Sequence, residues 1–213
     1  MLKEKTLKLK LKDWFEVARV AHLHQTRISW EPYITHPISV AKIINEELEF
    51  EWEYSKKINL IIIWLLHDVL EDSTFSFEYL RERFWDNIAN SVKKLTKPKL
   101  NNFLNIEEKN ELKKLNFIEK EKYFQSIKKK LKLRRNKKYF SHLIKLERNI
   151  LFVKVADRIH NLRTLTLKNY SKEKIQFKIK EVEKYFLILA KKLNDNCYNL
   201  MMKEIMILKK SIQ

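Results

Sequence analysis

Not one glycine occurs in this chain of 213 residues, and there are only three prolines, Pro32, Pro37 and Pro98. The lack of glycine removes whole classes of site. A phosphate-cradling P-loop, a GxGxxG dinucleotide turn and a G-x-S-x-G nucleophile elbow all need glycine where the backbone bends sharply or approaches a ligand. Hairpins built on Asn-Gly or Asp-Gly are excluded too, which argues against a hairpin-rich β fold. A chain with so little turn chemistry is most easily built from helices, and an all-α bundle is the expectation.

Hydrophobic residues, at 45%, suffice for a sizeable core, and the length favours a single domain over residues 1–213. The formal charge is +18, from 45 Lys and Arg against 27 Asp and Glu. Such a field attracts polyanions, including small phosphorylated ones. A chain rich in Lys, Ile and Asn and empty of Gly is also what an A+T-rich genome encodes. Cys197 stands alone, so neither a disulfide framework within the chain nor a Cys-based zinc site is available. The stretch from Met1 to Lys12 interleaves Leu with Lys and has no apolar region of the kind a signal peptide needs. The longest apolar run, Leu60 to Leu66, falls far short of the ~20 residues that cross a bilayer. A soluble cytoplasmic protein with no membrane partner is expected.

The apolar spacing is helical almost throughout. Trp14, Val17, Ala18, Ala21 and Gln25 mark a first helix with one apolar face. Pro32-Tyr33-Ile34 forces an extended stretch, and Pro37 fits the first position of a second helix carrying Val40, Ala41, Ile43 and Ile44. A third helix from Ile58 to about Leu70 is apolar nearly all round and belongs at the centre of the bundle. Short helices follow at about Phe77 to Phe84 and Asp86 to Thr96. Residues 99–138 differ: they lack a sustained apolar face, and from Ile127 to Lys138 eight of twelve residues are Lys or Arg. This segment reads as a solvated basic insertion of helix and loop. Order returns near Phe140, and an apolar stretch, Ile150 to Val155, leads into the polar run Ala156 to Leu165. A long amphipathic C-terminal helix is expected over Glu173 to Leu208, and no internal repeat is visible.

Three features carry chemistry. His67-Asp68 stands just before Glu71-Asp72 at the end of the most apolar helix, and helical spacing pairs His67 with Glu71 and Asp68 with Asp72. That much polarity after an apolar helix is satisfied either by water at the helix end or by a divalent cation, which imidazole and carboxylate together suit. Asp157, Asn161 and Thr164, at i, i+4 and i+7, put a carboxylate, an amide and a hydroxyl on one helix face. That face is either a site wall or a solvent-facing stripe. Arg27 precedes Trp30-Glu31-Pro32-Tyr33-Ile34-Thr35-His36-Pro37, with His36 next to a helix start. The remaining histidines, His22, His24, His142 and His160, show no partner pattern and read as structural.

Together these pieces resemble the HD-domain hydrolases of the Rel/SpoT alarmone family. The resemblance rests on R-I-S-W-E-P-Y-I-T-H-P (27–37), L-L-H-D-V-L-E-D-S (65–73), K-V-A-D-R-I-H-N-L-R-T-L (154–165) and a helix from Lys180-Glu181 through Tyr185 to Leu189-Ala190. It implies an HD-type helical bundle with one divalent cation, usually manganese, held by His36, His67, Asp68 and Asp157. It implies Glu71 and Asp72 as the carboxylates that position and deprotonate the attacking water. Arg27 would stack on the guanine base, and Asn161 and Thr164 would hold the nucleotide. The implied reaction removes the 3′-diphosphate of guanosine tetra- or pentaphosphate, leaving GDP or GTP and pyrophosphate.

Three positions depart from the family pattern. Trp30 and Trp85 stand where the family usually has glycine, and Ile28 replaces a basic residue. No synthetase domain follows, so a stand-alone hydrolase is expected. Alternatives are the same site acting on another phosphorylated nucleotide such as NADPH, an inactive relic, or a basic nucleic-acid-binding protein. The basic run lacks the interleaved aromatics that stacking on bases needs, which counts against the last. The oligomeric state is left open.

Overall fold

The computed structural model describes the backbone of residues 2–48 and 54–213 and the side chains of residues 12–48 and 58–213. Its regular elements are helical, as expected; an isolated antiparallel bridge pairs Thr26 with Pro32. The chain forms two compact units, one of Met1–Thr96 with Leu146–Gln213 and one of Lys97–Lys145.

In the first unit, α1 (Leu2–Ala21), α2 (Thr35–Lys42), α6 (Asp86–Leu95) and α9 (Arg148–Arg163) all pack against α3 (Tyr54–Leu66). The all-round apolar character of α3 explains its place: Ile58, Leu60, Ile62, Ile63, Trp64, Leu65 and Leu66 are all buried. On α9, every residue from Ile150 to Ile159 is buried, Lys154 and Asp157 included. The Trp64 indole N–H donates to the Pro37 carbonyl, which seats the start of α2 on the end of α3. The unit also holds α4 (Val69–Asp72), α5 (Phe77–Arg83, capped by the Ser76 hydroxyl), α10 (Lys172–Glu181), α11 (Leu187–Leu193) and α12 (Asp195–Ser211).

Several boundaries differ from the sequence reading. The first helix ends at Ala21, before Gln25, and α2 begins at Thr35, so Pro37 is its third residue. A missing N–H still costs nothing there, because the first-turn N–H groups have no partner within the helix. The third helix stops at Leu66 and a turn at His67-Asp68 separates it from α4. At this end the Trp64 carbonyl faces His67 Nδ1 at 2.8 Å and also accepts the His67 N–H at 3.3 Å, a three-residue turn in place of the α-helical bond. The C-terminal stretch is helical but interrupted. A π-helical turn at Val182–Phe186 joins α10 to α11, and Asn194, fully extended, ends α11 while its side chain accepts the Cys197 N–H and starts α12. The chain then doubles back, and α12 packs on both α10 and α11.

The second unit holds α7 (Ile106–Lys114) and the 27-residue α8 (Phe117–Leu143). Both start with a capping box, Asn105 with Glu108 and Asn116 with Glu119, each exchanging two hydrogen bonds. Arg134 ties α8 to Glu108 at 2.6 Å and to the Phe103 carbonyl at 3.1 Å. No helix of the described residues is long and apolar enough to cross a membrane.

Candidate metal centre

Three helices converge where their most polar residues are buried. α2 contributes His36, the turn after α3 contributes His67, and α9 contributes Asp157. One donor atom from each lies within 4.8 Å of the others, and all three side chains are buried. Residues 36, 67 and 157 are far apart in sequence; the packing of α2, α3 and α9 on one another gathers them.

Hydrogen bonding decides which ring nitrogen of His67 is available. Its Nδ1 faces the Trp64 carbonyl, which only accepts, so the ring proton sits on Nδ1. Nε2 then carries a lone pair, is buried and has no hydrogen-bond partner, yet lies 2.9 Å from Asp68 Oδ2. Two electron-rich atoms this close in a buried site call for a positive charge between them, either a second ring proton or a cation. Burial by itself pulls the His67 pKa down, but the Asp68 carboxylate outweighs it and the net shift is upward. A divalent cation would take the place of that second proton, and the donor set fits one: two imidazoles and carboxylates, backed by a carbonyl that orients one ring.

The other members follow the same logic. Burial lowers the pKa of His36 and keeps it neutral; its Nε2 is 3.3 Å from Asp157 Oδ1. Burial opposes ionisation of Asp157, but the Lys154 ammonium, with Nζ 3.3 Å from Oδ2, and His36 hold it well below the usual carboxylate range. Asp68 is likewise held low, mainly by His67 against its own burial, and accepts a hydrogen bond from the Tyr33 hydroxyl at 2.5 Å. Burial and Asp68 push the Tyr33 pKa far up, so Tyr33 remains a donor.

Asp72 is set differently. Its side chain reaches solvent, but the surrounding protein, then Asp68 and Glu71, raise its carboxyl above the ordinary value. Gln25 holds the backbone here by donating to the Asp72 carbonyl. A carboxylate raised by its neighbours, beside a buried ligand set, is what a general base requires.

Arg27, Asn161 and Thr164 meet although 134 and 137 residues separate the first from the others. Arg27 Nη2 lies 3.3 Å from Asn161 Oδ1 and 3.1 Å from Thr164 Oγ1. Asn161 in turn donates to Asp157 Oδ1 at 2.5 Å, which links this wall to the cluster.

The structure departs from the sequence reading at three points. His67 and Glu71 are not on one continuous helix, because a turn at His67-Asp68 intervenes, whereas Asp68 caps α4 and pairs with Asp72 across one turn, the Asp72 N–H donating to the Asp68 carbonyl at 2.9 Å. Asp68 lies beside the three mutually close donors, its Oδ2 2.9 Å from His67 Nε2 and bonded to Tyr33, a position from which it could still reach a shared ion. His160 and His22, without a partner pattern in the sequence, both lie against residues of the cluster. His160 Nδ1 is 2.7 Å from His36 Nδ1, and His22 stacks on Tyr33 with ring centroids 4.4 Å apart. The signal for His160 lay in the sequence: Asp157, His160, Asn161 and Thr164 follow i, i+3, i+4 and i+7 on one face of α9. Nothing comparable marked Tyr33.

A helical bundle that sets a His-Asp pair at the end of one helix beside a histidine and an aspartate from two others defines an HD-type domain. The HD domain family model matches residues 15–194. Among sequence relatives, the bifunctional (p)ppGpp synthase/hydrolase SpoT of Escherichia coli is 32% identical over 156 residues, which is 73% of this chain and 18% of that protein. The guanosine-3′,5′-bis(diphosphate) 3′-pyrophosphohydrolase of Haemophilus influenzae is 34% identical over 152 residues, 70% of this chain and 18% of that protein. The chain thus spans under a fifth of the length of these relatives. A solved metazoan ortholog of SpoT, described as hydrolysing ppGpp, has the same fold, with a TM-score of 0.66 at 20% identity over 96% of this chain and 97% of that one. The chain belongs to the HD-domain family, and the sequence relatives it resembles are of the SpoT type.

Proposed function

We propose that this domain hydrolyses guanosine 3′,5′-bis(diphosphate) and its pentaphosphate counterpart, releasing pyrophosphate from the 3′ position and leaving GDP or GTP. The observation that carries the proposal is the buried set His36, His67 and Asp157 beside a solvent-facing Asp72 whose carboxyl is raised. Those three residues, with Asp68 at their edge, would hold one divalent cation, and we assign manganese because a mixed imidazole and carboxylate set accommodates it. When bound, the cation supplies Lewis acidity toward a phosphoryl oxygen and lowers the pKa of a water molecule.

The chain's own residues do the rest. Asp72 takes the proton of the attacking water, with Glu71 beside it keeping its pKa up. The water oxygen bonds to the 3′-linked phosphorus, the bond from that phosphorus to the 3′-oxygen breaks, and the departing hydroxyl receives a proton. Arg27 offers a planar guanidinium for stacking on the base. Asn161 and Thr164, which hold Arg27, line the nucleotide side of the pocket. We further propose that the protein acts in the cytoplasm, the location expected from its sequence.

The test is incubation of the purified protein with Mn²⁺ and a panel of phosphorylated nucleotides, NADPH included. Chromatography should find GDP and pyrophosphate from the tetraphosphate, with Asp72→Asn inactive. Release of phosphate from NADPH alone, or no product from any nucleotide, overturns the proposal.

A further inference from the structure

His160, half-buried beside the cluster, is a histidine that the proposed chemistry leaves without a task. It lies on α9 one turn beyond Asp157, with its ring centroid 4.7 Å from that of His36 and its Nδ1 2.7 Å from His36 Nδ1. A contact this short needs a single proton between the two nitrogens. If both rings were protonated, two N–H groups would collide; if neither, two lone pairs would. The location of that proton decides whether His36 can bind a cation. His36 points Nε2 at Asp157 Oδ1, 3.3 Å away, inside the donor cluster. For Nε2 to present a lone pair there, the His36 proton must be on Nδ1, donated to His160. His160 must then accept on Nδ1 and carry its own proton on Nε2.

We infer that His160 is a positioning residue for the metal centre, accepting the His36 Nδ1 proton and so fixing the tautomer and orientation in which His36 Nε2 faces the ion. This rests on the reading of the cluster as a metal site and deepens it. One turn of α9 then has three tasks: Asp157 supplies a carboxylate, His160 aims the histidine opposite, and Asn161 holds both Asp157 and Arg27. The carbonyl of Trp64 performs the matching task for His67. Each histidine of the cluster has its own acceptor behind it, as partners behind metal-ligating histidines generally do.

The experiment is calorimetric titration of Mn²⁺ into wild type, His160→Leu and His160→Asn, with the melting temperature of each metal-free protein recorded. Asn keeps an acceptor near the position of Nδ1; Leu removes it. The inference predicts a 10- to 100-fold loss of Mn²⁺ affinity in His160→Leu and near wild-type affinity in His160→Asn. Unchanged affinity in His160→Leu overturns it, and so does equal loss in both variants. If His160→Leu does not fold, His160→Ala replaces it and is read the same way. No nucleotide enters the titration. Failure of ppGpp hydrolysis with the affinity ranking intact would sink the proposed reaction alone, whereas hydrolysis with an unchanged His160→Leu affinity would sink this inference alone.

Discussion

Trp30 has a φ of 67°, and its side chain is 85% exposed. The Trp30 N–H donates to the Arg27 carbonyl at 2.9 Å and the Arg27 N–H to the Glu31 carbonyl at 2.8 Å. That is a three-residue loop whose last position is left-handed, where glycine fits without a Cβ clash. In an L-residue that geometry costs roughly 1–2 kcal/mol, partly offset by the larger entropy a glycine would lose on folding. Trp30→Gly should therefore stabilise the protein by about 1 kcal/mol and Trp30→Ala should not; urea unfolding of the two variants measures it. Trp85, the other tryptophan at a family glycine position, has φ −78° and ψ 150°, which any residue adopts. The two departures looked alike in sequence, and only the backbone angles separate them. Asp72 carries a second prediction. Because its folded carboxyl is raised, its contribution to stability is greatest below the unfolded pKa and is lost as pH rises through the folded pKa. At neutral pH its charge is a burden, so metal-free Asp72→Asn should melt no lower than wild type in a thermal scan while losing turnover. The acid limb of kcat/KM should fall above the 3.8 of an ordinary aspartate. A destabilised but active Asp72→Asn would contradict both statements.

At the scale of elements, apolar spacing located the helices but not their interruptions. The core position of α3 could be read from its sequence, since Leu60 to Leu66 offer no polar face. Its end could not, because the turn at His67-Asp68, where both His67 N–H and Nδ1 meet the Trp64 carbonyl, leaves no mark in the apolar spacing. The reversal after α11 had a sequence cue, the Asn194-Asp195 pair that can cap and open a helix, but the amphipathic pattern runs through it unchanged. Asn194→Ala should remove the cap of α12 and lower stability by about 1 kcal/mol, measured by urea denaturation. An unchanged midpoint would mean that the cap contributes nothing and that packing alone turns the chain. Residue chemistry alone pointed to His67 as a cation ligand candidate, but His36 and Asp157 were joined to it only through the resemblance to a known family. Periodicity shows that Asp157, Asn161 and Thr164 share a face, but which helix they face is fixed by tertiary packing. For that reason His160 was set aside although it lies on the same stripe.

Across the whole molecule, charge is unevenly spread. Residues 97–145 hold 16 of the 45 basic residues and 5 of the 27 acidic ones. Exposed lysines act through a screened medium, with a Debye length of ~8 Å at physiological salt. Replacing the eight basic residues between Ile127 and Lys138 with Gln should weaken apparent substrate affinity modestly, mainly at low salt, and leave turnover at saturation unchanged. Submicromolar RNA or DNA binding at physiological salt, lost in the same variant, would show instead that the run is a nucleic-acid surface. The central claim is narrower: α2, α3 and α9 bring His36, His67 and Asp157 together to hold one divalent cation. Anomalous diffraction from crystals grown with Mn²⁺ tests it most directly. A single peak bonded to the two imidazoles and the Asp157 carboxylate, at metal–ligand distances of roughly 2.0–2.4 Å, is the expected result. A peak elsewhere, or His36 and His67 donor nitrogens more than ~5 Å apart with manganese bound, would contradict the account.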